Sequence, residues 1–154
     1  MEFDEQNVVE EREGEAVEIY SRRAIWWFSI IPVPLFGGVL LAMNLWAAGY
    51  KKAIYPVIAF ALAATIGARL LIDKLMIAYK IVIPANYKMT NDALNQKIVL
   101  VCLAGLAVYV ISATVLSRYF FSKYFPDNDY YPKSVAGPLV VAALMVVLSG
   151  FSGI

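Results

Sequence analysis

Residues 98–117 read IVLVCLAGLAVYVISATVLS, a run without a single charged side chain. A bilayer core about 30 Å thick takes about 20 apolar residues of helix to cross, and this run has that length. Three more runs of the same character lie outward from it: Ala24–Tyr50, Ala53–Ala68 with an extension toward residue 80, and Ser134–Ile154. Little remains except an acidic beginning and three connections. The expected fold is all-α, an integral membrane bundle of four transmembrane helices over residues 24–50, 53–80, 92–118 and 134–154. The first helix is expected to be kinked or preceded by an interfacial helix.

Composition agrees with that class and narrows the chemistry. Of 154 residues, 61% are hydrophobic, where an ordinary soluble domain has about 45–50%. Histidine is absent, which removes the usual neutral-pH base and most zinc and haem ligation. The one cysteine, Cys102, lies inside the third run, so neither an intramolecular disulfide nor a cysteine metal cluster is expected. No catalytic, cofactor-binding or metal-binding residue is singled out, and no enzymatic activity is expected. A net charge of +1 gives no pull toward nucleic acid.

That charge is unevenly placed. Eight of the twelve acidic residues fall within residues 1–18, opposed there only by Arg12. Residues 1–18 are therefore expected to form a solvated, flexible cytoplasmic tail, and residues 19–154 the transmembrane domain.

Ser21-Arg22-Arg23 abuts Ala24-Ile25-Trp26-Trp27-Phe28, basic anchors followed by aromatics of the kind that settle at the headgroups. Pro32-Val33-Pro34 then interrupts the run. Two arrangements stay open: a helix kinked near Pro32, or an interfacial segment Tyr20–Ile31 followed by a span from Val33 to Tyr50. Gly49-Tyr50-Lys51-Lys52 reads as a tight turn into the second span.

The second span carries small residues every fourth position, Ala59, Ala63 and Gly67, and Gly38 with Ala42 offers a matching strip in the first. Such stripes let helix backbones approach closely in lipid, so these five are the candidate helix-packing residues. Arg69 and Asp73, with Lys74 beside them, form the one charged cluster near a span. Four residues apart, Arg69 and Asp73 share a helix face. Either Arg69 snorkels to the headgroups beyond Ala68, or the helix runs on and holds the pair at membrane depth as the start of an ion or proton path. Asn44 is the remaining candidate intramembrane polar residue, a neighbour for that pair or a tie between helices.

Ile83-Pro84 marks a break, Thr90-Asn91-Asp92 a helix start, and Pro126-Asp127-Asn128-Asp129 a turn in a loop rich in interfacial aromatics. With the beginning of the chain inside, four spans place Arg12, Arg22, Arg23, Arg69, Lys74, Lys80, Lys88 and Lys97 on the cytoplasmic side. Lys51, Lys52, Arg118, Lys123 and Lys133 then face the other side, and eight basic residues against five favours both termini in the cytoplasm.

The stretch Ile19-Tyr20-Ser21 through Phe36-Gly37-Gly38-Val39-Leu40-Leu41-Ala42-Met43-Asn44-Leu45 to Gly49-Tyr50-Lys51-Lys52 resembles the opening of uncharacterised small four-span bacterial membrane proteins. The resemblance implies a multi-pass protein of a bacterial inner membrane and carries no activity. The expected function is that of an accessory or assembly subunit in a larger membrane complex. Its partners would be the lipid bilayer and other membrane subunits or further copies of the chain. The alternative is a small oligomeric transporter or channel component using Arg69 and Asp73.

Overall fold

Two prolines decide the first turn of the fold. The computed structural model describes residues 18–81, 93–126 and 130–151, and these are mostly helical. Strand β1 (Glu18–Ile19) leads through Ser21 into helix α1 (Arg22–Ile30). Ser21 Oγ accepts the Ala24 N–H at 3.2 Å, satisfying one of the unpaired donors of a first helical turn. Just past α1 comes Pro32. Val33, which precedes the second proline, is extended at φ −165°, ψ 158°, the region into which a following proline drives its neighbour. Pro34 opens helix α2 (Pro34–Ala47), at a position where no backbone N–H is needed.

The chain then doubles back. Ser29, near the end of α1, lies against Gly37, near the start of α2, while Tyr20 ahead of α1 is bonded to Asn44 near the end of α2. α1 and α2 are therefore antiparallel neighbours. This replaces the single kinked span over residues 24–50 by two helices, the first over nearly the segment Tyr20–Ile31 expected to precede the span. The physical reason is the close approach at Gly37, where a Cβ would overlap Ser29 Oγ and stand 2.8 Å from the Ile25 carbonyl oxygen.

The next glycine serves a different neighbour. A Cβ on Gly38 would overlap that of Ala61 in helix α3 (Lys51–Ala78). Thr65 Oγ1 on the same helix accepts the Leu35 N–H at 3.1 Å, capping α2 from across the interface because Val33 has no side chain that could. Between α2 and α3 the chain turns through Gly49 at φ 81°. Tyr50 N–H donates to Leu45 O at 2.8 Å and Gly49 N–H to Trp46 O at 3.0 Å, the paired bonds of a Schellman ending. α3 ends the same way, with Ile81 N–H on Met76 O at 2.9 Å and Lys80 N–H on Ile77 O at 3.0 Å. Here Lys80, at φ 51°, stands where glycine is usual.

A long helical rod, Leu94–Tyr124, returns beside α3. It comprises α4 (Ala93–Thr114), a π-helical turn (Val115–Phe120) and α5 (Phe121–Tyr124). Gly105 faces Ile72, and the Phe60 and Phe120 rings lie 5.5 Å apart. At the end where the α2–α3 turn sits, Tyr50 meets Tyr124 at 5.8 Å. Strand β2 (Tyr131–Pro132) pairs in parallel with β1, Glu18 beside Tyr131 and Ile19 beside Pro132, and Lys133 N–H donates to Ile19 O at 2.9 Å. Helix α6 (Ala136–Phe151) departs from this strand end and runs alongside α1.

The described chain thus begins at the strand end of the bundle, while α6 leads away from it toward the other end. Four straight spans would return the chain to the end where it starts; with the extra reversal at Pro32–Pro34, the described residues Glu18 and Val147 lie toward opposite ends of the bundle. The core gathers near the strand end, where Ile25, Leu41, Leu45, Val57, Leu116 and Phe121 are fully buried. Elsewhere the helices keep their apolar surface outward. α3 and the rod are long and apolar enough to cross a membrane, yet only 17% and 22% of their most apolar stretches are buried. Residues 1–17, the Pro84 break, the Thr90-Asn91-Asp92 helix start and the turn at Asp127-Asn128-Asp129 lie outside the described residues.

Candidate functional site: an arginine pocket and an apolar groove

The small-residue strips do not meet as expected. Gly38 packs on α3, but against Ala61, and Ala42 is half-buried. Ala59, Ala63 and Gly67 all face outward, and nothing lies within 4 Å of a Cβ built on Gly67. Helical phase explains the correction. At about 100° per residue, Val57, Ala61 and Ala68 fall on one side of α3 and Ala59, Ala63 and Leu70 on the other.

Arg69 and Asp73 are also on the outer surface. Their Nε and Oδ1 atoms are 3.5 Å apart, with side chains 80% and 51% exposed. α3 continues unbroken past them to Ala78, and the Ile72–Gly105 contact sets the pair level with the middle of the 98–117 run. Asn44 is no neighbour of theirs. Fully buried, it accepts the Tyr20 N–H on Oδ1 at 2.8 Å and donates through Nδ2 to the Tyr20 carbonyl at 2.8 Å.

The reversal at Pro32 creates a site that four straight spans would have split in two. It brings Arg22 and Arg23 to the same end of the bundle as Arg118, where the three arginines share a pocket of about 170 Å³ with Trp26, Trp27 and Ser117. The π-helical turn helps to assemble it. Phe121 N–H reaches back five residues to Leu116 O, so Leu116 and Ser117 turn inward while Arg118 stays exposed at the surface. Such turns are rare and recur at functional sites. Trp26 Nε1–H donates to Thr114 Oγ1 at 3.5 Å, and the Trp26 and Trp27 rings meet edge to face at 4.9 Å. Among the described residues, none of the three arginines has an ion-pair partner.

A larger groove of about 660 Å³ opens directly beside this pocket, between α1 and α6. Trp27, Phe28 and Ile31 form one wall, Leu139, Ala143 and Val147 the other. Among the described residues, Ser21 and Arg23, both at the strand end, and the indole of Trp27 are its polar lining groups, and Arg23 and Trp27 belong to groove and pocket alike. Two features of the sequence could have pointed here, the arginine pair before Trp26-Trp27 and Arg118 at the end of an apolar run. Nothing in the sequence says that they converge.

Chemically, the arrangement can hold an anion at one end and an apolar chain along its length. Among the described residues no group of three or more acidic, histidine or cysteine side chains could hold a metal ion. No family model, no curated protein and no solved structure matches the chain. The molecule is a helical bundle with two helices long and apolar enough to span a membrane, and it carries a basic pocket at one end.

Proposed function

We propose that this chain is a multi-pass integral membrane protein without enzymatic chemistry, acting as a subunit that packs against another membrane protein. The observation that carries the reading is the outward face of α3. Ala59, Ala63 and Gly67 form a smooth strip there that the chain's own helices leave uncovered. In lipid, close packing over such a strip is a main source of helix association. The exposed Arg69–Asp73 pair lies on another side of α3, with Arg69 about 160° around the helix from Gly67, so a partner on the strip does not cover it. A transport path through that pair would need a second copy or a further partner on that other side.

The low burial of α3 and the rod supports the membrane reading, because a soluble protein hides helices of this character in its core. Orientation follows from the basic residues. Seven of the eleven described lysines and arginines lie toward the strand end, the exceptions being Arg69, Lys74, Lys80 and Lys97. The positive-inside rule puts that end in the cytoplasm, with α6 leading across.

The test is affinity purification from native membranes in mild detergent. The wild type is expected to bring a stoichiometric partner, and Gly67→Leu and Ala63→Leu to lose it without loss of folded protein. A wild type that purifies alone, or variants that retain the full complex, would overturn the assignment of α3 as the docking face.

A further inference from the structure

The pocket and the groove adjoin through Arg23 and Trp27, which line both, and they offer opposite chemistries. We infer that together they bind an anionic phospholipid, with the phosphate on Arg22, Arg23 and Arg118 and one acyl chain laid between α1 and α6. The inference rests on the membrane reading above and goes beyond it by naming a ligand.

Charge complementarity selects the occupant. Three arginines line one small pocket, and among the described residues no acidic side chain lines it or the groove. Guanidinium matches phosphate oxygens in paired hydrogen bonds, and basic pockets between helices at the cytoplasmic face attract anionic headgroups. The groove supplies what a free anion has no use for, a wall of Trp27, Phe28 and Ile31 facing Leu139, Ala143 and Val147. A partner helix filling the groove would bury apolar surface but leave the arginines without counter-charge. One molecule with an anionic head and an apolar tail satisfies both ends, and Trp27, lining both, sits at the level where indoles favour the headgroup boundary. α6 is suited to form the outer wall, because it packs only sparsely on the rest of the bundle.

Tryptophan quenching tests this on the full chain. Trp46→Phe leaves Trp26 and Trp27 as the only indoles. The protein is reconstituted in phosphatidylcholine vesicles containing a minor share of phosphatidylglycerol, with bromine on the acyl chains of one lipid at a time. Per molecule, brominated phosphatidylglycerol is expected to quench about fivefold more than brominated phosphatidylcholine. The triple substitution Arg22→Gln, Arg23→Gln and Arg118→Gln should remove that preference. Lys51→Gln with Lys52→Gln, which removes charge at the same end but outside the pocket, should keep it. Equal quenching by both lipids would overturn the lipid site while leaving the membrane reading intact. A companion variant, Trp26→Phe with Trp27→Phe, keeps Trp46 alone; quenching there, with none in the Trp46→Phe protein, would show protein in the groove and overturn the lipid site too. Absence of quenching at all three tryptophans would remove the membrane reading itself.

Discussion

Asn44 holds Tyr20 by both of its backbone polar groups, at 2.8 Å each, in a fully buried setting. The carboxamide thereby does what a neighbouring strand would do for a residue caught between β1 and α1, where no ladder or helix serves it. A carboxamide on a side chain of this length has both the donor and the acceptor the job requires.

Asn44→Ala leaves the Tyr20 N–H and carbonyl buried without partners and should cost about 2–4 kcal/mol. Asn44→Asp should be no better, since a carboxylate repels the Tyr20 carbonyl it replaces a donor for. Thermal unfolding in mild detergent gives the size of the loss, and hydrogen exchange at the Tyr20 amide its location. An amide as protected in Asn44→Ala as in the wild type would contradict the pairing.

Gly38 and Ala61 share space for a single methyl group. Gly38→Ala alone should therefore destabilise by about 1–3 kcal/mol. The exchanged pair, Gly38→Ala with Ala61→Gly, should recover much of that, so the two changes together cost less than their sum. Simple additivity in a double-mutant cycle would mean the helices do not touch there.

Lys80 occupies a left-handed position at the end of α3. Replacing it with glycine should raise stability by about 1 kcal/mol, because the Cβ penalty disappears while the two closing hydrogen bonds stay. The same melting assay reads it, with an unchanged or lowered midpoint counting against that backbone geometry.

The α1–α2 hairpin makes a prediction about sidedness that a single first span reverses. With Cys102→Ala as background, cysteines at Glu18, Lys52 and Lys133 should all react with an impermeant maleimide from the same side of sealed vesicles. A cysteine at Lys80 should react from the other. Labelling of Glu18 and Lys52 from opposite sides would restore the straight first span.

The long apolar segments were readable from sequence because length and lack of charge are local properties. The direction of the chain after Pro32-Val33-Pro34 was not. A proline ends a helix but does not say where the chain goes next; that is set by Gly37 meeting Ser29, Gly38 meeting Ala61 and Asn44 clasping Tyr20, all contacts between different helices or segments. The arginine pocket was hidden for the same reason, with the π-helical turn at Val115–Phe120 adding a register shift that side-chain types do not announce. The small-residue stripe Ala59, Ala63 and Gly67 was visible at once, yet periodicity alone could not tell an inner face of α3 from an outer one.

The pairing of Glu18 and Ile19 with Tyr131 and Pro132 has a bearing on biosynthesis. The ribosome makes β1 before any of the described helices and its partner only after α1 to α5. Until that partner arrives, Asn44 can hold Tyr20 but the Ile19 carbonyl lacks the N–H of Lys133. When Lys133 supplies its N–H to that carbonyl, segments made more than a hundred residues apart are locked together. Truncation anywhere before residue 131 would leave a nascent bundle whose first strand stays open, a defect that quality-control proteases are suited to recognise.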